Sequence, residues 1–487
     1  MLCAWRVQWQ PIARKPLNSN YFILFVVNPT VHKHDSQYWN KAQETMKPEE
    51  REKKILKRIK YQLNYVYDSV PFYRKLYDSK GFKPEMVRTL EDFTRKVPIV
   101  KKSMLRESQA QHPPFGDYQG SPDVFRIHGS SGTTGMPTLY SISRHDWEHT
   151  AQVQAMCYWC GGVRPTDTVQ VSMLLSLFMG GWGAVLASET IGAKTFPIGA
   201  GSTEQQATLM TRLRPTVLTC TPTYAIHLAM VAQKMGIDPK SLGLRTGIFL
   251  GEPGAGIPSI KKKMEELWDI KAIDSGSTSE MTPWATNTEC EERCGMHNFI
   301  DEVYTEIVDV DDPNVPMAYG EEGAVIYTHL GRDSQPMIRF WSGDKSVMTM
   351  EKCNCGRTYP RMPKGIFGRL DDMLIIRGVN TFPSTIEEAV RRCRDAGTEF
   401  RIVVTRPKDM DVVTLQVEHR DGLFDGLNTL EAEAICLSLK GEISRSVKAV
   451  CGISAGVEIV GPHTLPRAEI KARRVVDKRV GVWADKK

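Results

Sequence analysis

A long hydrophobic run is missing from this sequence. The most apolar stretch near its start, Tyr21–Val27 (YFILFVV), is seven residues. That is far short of the roughly 20 that cross a bilayer, and no small-residue cleavage site follows it. Neither a membrane anchor nor a signal peptide is therefore expected, and residues 1–37 read as an extension without a clear pattern. An excess of one charge is missing too: 63 basic against 57 acidic residues leave +6. Composition thus makes no electrostatic case for nucleic acid or a membrane surface as partner. The eleven cysteines are odd in number and lack framework spacing, which fits a reducing compartment, the cytoplasm by default. Repeats and low-complexity tracts are absent. What is present, 487 residues with 41% hydrophobic content, suffices for several cores.

From Tyr38 to Tyr77 the spacing of Ile55, Ile59, Leu63 and Val66 predicts a helical lead-in, extending to about residue 100. Beyond it, apolar runs at Thr168–Met173, Lys194–Pro197, Val217–Thr221 and Thr246–Leu250 alternate with helical patterns at Gln205–Leu213, Tyr224–Lys234 and Ser259–Leu267. Such alternation predicts parallel βαβ units, hence an α/β fold. After about Val303 short strand-like runs take over, Thr305–Val310 and Gly323–Thr328 among them, up to residue 367. A third region of about 115 residues follows the charged segment Gly368–Asp372. Its helices are expected near Thr385–Cys393 and Leu430–Val450, its strands near Phe400–Val404, Val412–Val417 and Val457–Val460. The expected division is a large domain over 38–370 and a small one over 371–487.

The densest chemical signal is Gly129–Gly135 (GSSGTTG), with four hydroxyls and unencumbered backbone N–H groups. Glycines let a backbone approach closely and hydroxyls donate to oxygens, so the segment suits a polyphosphate. It is not a Walker A loop, since no Gly-Lys-Ser/Thr follows. Taken alone it also fits a plain surface loop, or an amidase-type serine nucleophile whose supporting Lys and Ser cannot be placed.

Order along the chain separates these alternatives. His128–Thr138 (HGSSGTTGMPT), Gly251–Pro253 (GEP), Asp274–Glu280 (DSGSTSE), Pro336–Asp344 (PMIRFWSGD), Gly368–Pro383 (GRLDDMLIIRGVNTFP) and Leu465–Arg474 (LPRAEIKARR) follow one another. Together with Ser69–Lys75 and Arg88–Arg106, they resemble the adenylate-forming superfamily of acyl-CoA synthetases, most closely its phenylacetate–CoA ligase branch, over roughly Tyr38 to Val480. The resemblance implies a large N-terminal domain of βαβ sheets with a β-rich part, and a small mobile C-terminal α/β domain. It implies an ATP-dependent ligase that joins an aromatic or arylalkanoic acid to coenzyme A through an acyl-adenylate, with Mg²⁺.

A carboxylate is already ionised at neutral pH, so positioning and charge neutralisation are the whole catalytic task. The resemblance gives the phosphate cradle to Ser130, Ser131, Gly132, Thr133, Thr134 and Gly135. It gives Mg²⁺ to Glu280, with Ser277 and Thr278 beside it, and adenine to the border formed by Glu252 and Pro253. Asp344 would accept the ribose hydroxyls, with Arg369 as a cationic donor nearby. Lys471 would reach the α-phosphate as charge develops, Asp371 would be the hinge, and Gly378 would line the coenzyme A channel. Phe178, Gly181, Trp182 and Tyr224 are candidates for the acid pocket, or ordinary core. Three departures stand out: Met136 where a lysine is common, Gly276 where an aromatic ring often stacks on adenine, and Ile470 where glycine usually precedes the lysine.

Cys353 and Cys355 form a knuckle, and with Cys290 and His297 they make a Cys₃His set of the structural zinc type. Cys294 is an alternative fourth ligand, and buried free thiols are the plain alternative. Cys157 and Cys160 sit on an expected helix among apolar neighbours and read as core. A homodimer is expected from relatives. Two rival functions remain at this point, transfer of the acyl group to a carrier protein and a non-catalytic nucleotide-binding role.

Overall fold

The computed structural model describes residues 36–130, 137–199, 201–252, 254–370, 374–376, 379–407, 410–466 and 474–479. Ser131 to Met136, Pro253, Asp371, Gly378, Ile470 and Lys471 lie outside the described residues. Residues 37–487 form one compact unit.

The lead-in is a helix over Pro48–Ser69 with proline at its first turn, where a missing N–H costs nothing. It buries Ile55, Ile59, Leu63 and Val66 as the spacing predicts. That stripe packs on Val325, Tyr327 and Phe340 of an antiparallel four-stranded sheet. The sheet's order is Val303–Val308, Glu322–His329, Phe340–Val347 and Gly368–Arg369.

The main sheet has eight strands. Five are parallel, in spatial order Lys194–Phe196, Thr168–Val171, Val217–Cys220, Thr246–Phe249 and Lys271–Gly276. Helices cover both faces. Arg144–Cys160 and Met179–Ile191 fill one core, while Thr203–Leu213, Pro222–Lys234 and Pro258–Trp268 fill the other. The two central strands Val217–Cys220 and Thr246–Phe249 are buried at every position, as two covered faces require. The sheet then continues antiparallel through Asn287–Glu289, Met296–Asn298 and Arg361–Met362, an extension the alternating pattern does not announce.

The last region holds a four-stranded sheet in the order Ala455–Val460, Val412–His419, Ala396–Thr405 and Val475–Asp477. Helices Pro383–Arg391 and Thr429–Cys451 pack on it through Ile386, Ile443 and Leu415. Each element expected there is present, displaced by a few residues at its ends. Among the described residues no helix is long and apolar enough to cross a membrane.

Candidate active site

In an open parallel sheet, ligands gather beyond the carboxyl ends of the strands. Four strands deliver the candidate residues there. Thr168–Val171 leads to Phe178, Gly181 and Trp182, Val217–Cys220 to Tyr224, Thr246–Phe249 to Glu252, and Lys271–Gly276 to Ser277, Thr278 and Glu280. The side chain of Met173 joins two of these segments, because its methyl stands within 4 Å of where a Cβ on Gly180 or Gly251 would lie.

The glycine–hydroxyl loop springs from a hairpin in which Arg126–Gly129 pairs with Leu139–Ile142. Ser130 closes the neck: its N–H donates to Thr138 O (2.9 Å), and its Oγ accepts from the Thr138 N–H (3.0 Å). Tyr140 on the returning strand is buried, and burial together with nearby Glu280 pushes its phenol far up. The neck of the loop and Glu280 therefore share one wall. His128 stacks on Trp147 with ring centroids 6.0 Å apart and donates from Nδ1 to Leu177 O (3.0 Å). Burial pulls its imidazole down to about 4, so it is neutral at physiological pH.

Glu280 is 3% exposed. Its Oε1 lies 2.7 Å from Lys102 Nζ, and Thr278 Oγ1 donates to its Oε2. Burial alone would raise this carboxyl, but Lys102 and the Thr278 hydrogen bond more than offset it and hold it below the usual range. Lys102 is the site residue that residue patterns miss: a lysine pair at a helix start reads as a solvated face. The one signal for it is its place inside the Arg88–Arg106 segment.

Asp344 and Arg369 stand opposite each other across two antiparallel strands. Arg369 Nη1 donates to Asp344 Oδ1 (3.1 Å), and the carboxylate is 6% exposed. Glu252 Oε1 accepts from the Thr223 N–H (2.7 Å) and from its hydroxyl. Burial pushes this carboxyl up, with Glu387 adding to the rise and Thr223 and Arg474 opposing it. Arg474, three residues past Lys471, is itself pinned by Glu387 (3.4 Å) and Glu399 (3.7 Å) and lies over the Phe400 ring. The Leu465 N–H donates to Glu418 Oε1 (2.8 Å).

The acid-pocket candidates are only partly brought together. Phe178 packs beside Gly180 and Met173. Trp182 donates to Ser176 O (2.8 Å), and the Arg126 guanidinium lies 4.8 Å from its ring centroid and 4.1 Å from that of Trp147. Tyr224 meets Thr203 Oγ1 at 3.3 Å.

The cysteine expectation converges in space. Ligand atoms of Cys290, His297, Cys353 and Cys355 all lie within 4.8 Å of one another and are buried. Cys290 Sγ is 3.6 Å from Cys353 Sγ, and Cys355 Sγ is 3.3 Å from His297 Nε2. Edges of a tetrahedral zinc site are about 3.8 Å for S–S and about 3.6 Å for S–N. Cys294 stands outside this quartet, although its Sγ is 3.2 Å from that of Cys353. Cys157 and Cys160 are buried in the core.

An open, mostly parallel sheet, a buried carboxylate paired with lysine, and a second carboxylate paired with arginine across two antiparallel strands define an α/β protein with a charged site. The AMP-binding enzyme model matches residues 40–329, and the AMP-binding enzyme C-terminal domain model matches residues 378–479. The phenylacetate-coenzyme A ligase of Thermus thermophilus is 36% identical over 87% of this chain and 95% of its own, and that of Escherichia coli is 34% identical over 87% and 93%. A 2-hydroxyisobutyryl-CoA ligase in its postadenylation state, bound to an acyl-AMP, superposes with TM-score 0.86 at 42% identity, covering 91% of this chain and 93% of that one. The same enzyme in its thioesterification state gives 0.69 at 43% identity over 92% and 94%.

The chain belongs to the AMP-binding, adenylate-forming enzyme family, on its phenylacetate–CoA ligase-like branch. Its reaction class is that of an ATP-dependent, AMP-forming acid:CoA ligase, with ATP, coenzyme A and a small-molecule acid as substrates.

Proposed function

We propose that the acid is an aromatic or arylalkanoic carboxylic acid, seated against the apolar wall of Met173, Phe178 and Trp182. What supports this is the Met173 methyl, which stands within 4 Å of where a Cβ on Gly180 or Gly251 would lie and so offers an apolar group beside both segments. Phenylacetate-coenzyme A ligases aligned over nearly their whole length support it. A second reading is a small 2-hydroxy acid, favoured by the higher identity to the 2-hydroxyisobutyryl-CoA ligase.

In this proposal residues 38–370 bind ATP and the acid, and residues 371–487 deliver Lys471. The acid's carboxylate attacks the α-phosphorus and pyrophosphate leaves, while Ser130 to Gly135 donate to the departing phosphates and Asp344 holds the ribose. Lys471 neutralises the charge that develops on the α-phosphate. Coenzyme A thiolate then displaces AMP from the acyl carbon, after a rotation about Asp371 that brings the Gly378 turn to the thiol. A carboxylate and a hydroxyl at Glu280 and Thr278 are hard oxygen donors suited to Mg²⁺, which would offset phosphate charge there. Lys102 already faces Glu280 and, being 41% exposed, has room to swing aside. Cys290, His297, Cys353 and Cys355 have the chemistry and spacing for structural zinc, with all four positions taken by protein.

The test is a panel of phenylacetate, benzoate, 2-hydroxyisobutyrate and straight-chain acids with ATP and Mg²⁺, following AMP and thioester with and without coenzyme A. Aryl acids should give the highest kcat/KM. A preference for 2-hydroxyisobutyrate selects the second reading, and AMP without thioester points to a carrier-protein acceptor.

A further inference from the structure

The quartet of Cys290, His297, Cys353 and Cys355 has a fourth thiol at its edge. Cys294 is exposed, whereas Cys290, Cys353 and Cys355 are buried, and its Sγ lies 3.2 Å from Cys353 Sγ. Its backbone is held over the cluster, since Arg361 Nη1 donates to Cys294 O and Nη2 to Glu351 O. A disulfide needs sulfurs roughly 2.05 Å apart, so closing this pair takes a shift of about 1.2 Å. Cys290 is also near Cys353, at 3.6 Å, but it is 1% exposed and an oxidant from solvent cannot reach it first.

We propose that Cys294 is the entry point of an oxidative switch: a peroxide oxidises it, and a Cys294–Cys353 disulfide forms at the expense of the metal site. The step rests on the zinc reading only for its consequence, loss of the ion. The Cys294 sulfur attacks the peroxide O–O bond, becomes a sulfenic acid and releases one hydroxide, protonated to water. The Cys353 sulfur then attacks the Cys294 sulfur, the S–S bond forms and the second oxygen leaves as water. Two thiol sulfurs give up two electrons and the peroxide takes both. When Cys353 starts as a zinc-bound thiolate, solvent supplies the one missing proton. With Cys353 withdrawn, three ligands remain.

The effect reaches the active site through two strands. Cys290 directly follows strand Asn287–Glu289, which pairs with Lys271–Gly276 at Ser275↔Thr288 and Gly276↔Asn287. That second strand runs straight into Ser277, Thr278 and Glu280. Release of the quartet unpins the hairpin from the Cys353–Cys355 knuckle and loosens the support of Glu280.

The experiment treats the full-length protein with hydrogen peroxide, follows zinc with a chromogenic chelator and maps disulfides by mass spectrometry without reduction. A Cys294–Cys353 linked peptide should accumulate in step with zinc release, and dithiothreitol with added zinc should reverse both. Cys294→Ser and Cys294→Ala should keep the zinc content of the wild type and release it roughly tenfold more slowly or less. Variants that lose zinc at the wild-type rate, or a linked peptide joining Cys353 to Cys290 or Cys355, would overturn the proposal. Untreated protein without zinc removes the metal reading alone. The peptide map then decides the disulfide on the metal-free chain, and absence of the Cys294–Cys353 link overturns it.

Discussion

Lys102→Met removes the ammonium that faces a buried carboxylate at 2.7 Å. At an effective dielectric of 20 such a pair attracts by about 6 kcal/mol. Lys102 is 41% exposed, so water screens it and the desolvation of Glu280 offsets much of the rest, leaving roughly 1–3 kcal/mol. For a cooperative unit of this size that is a Tm lower by roughly 1–3 °C at neutral pH. In the wild type the folded carboxyl sits below its ordinary 4.5. The pair therefore stabilises the fold fully above that value and loses its contribution as pH falls through the folded one. In the variant burial dominates and the carboxyl titrates higher. The Tm gap between the two proteins is thus full above the variant's raised folded value, narrows as pH falls between that value and the wild type's lowered one, and is closed below the latter. The pyrophosphate-release assay should show adenylation kcat/KM reduced about tenfold or more. Differential scanning fluorimetry across pH supplies the decisive curve. A gap that stays constant into acid, or wild-type Tm with wild-type adenylation, refutes the assignment of Lys102 as the cation that sets Glu280.

Lys471→Ala should slow adenylation about 100-fold or more while largely sparing thioester formation from supplied acyl-adenylate, and equal loss of both half-reactions contradicts a two-arrangement cycle. Metal analysis should find about one zinc per chain in the wild type and a large loss in Cys353→Ser/Cys355→Ser, and unchanged stoichiometry removes that site.

Local pattern carried the backbone of this fold well. The helix Pro48–Ser69 and the parallel strands announce themselves because burial on one stripe or on two faces leaves a periodic trace. The strands Asn287–Glu289 and Met296–Asn298 leave none: each is three residues long, and Thr288, Asn298 and His297 are buried by polar pairing rather than by an apolar run. The site divides in the same way. Cysteine spacing was enough to anticipate the cluster of Cys290, His297, Cys353 and Cys355, since one short hairpin and one short loop supply all four. Lys102 and Glu280 stand 178 positions apart and meet only through the docking of the lead-in region, which no window of sequence contains.

Gly276 has a neighbour that limits what can replace it. It pairs with Asn287, and a Cβ at this position would lie 2.4 Å from Asn287 Oδ1. Asn287 is fully buried, so it has nowhere to retreat. Any side chain at position 276 therefore asks Asn287 to move or to shrink, so the two positions are coupled and a larger residue at 276 is best accommodated together with a smaller one at 287.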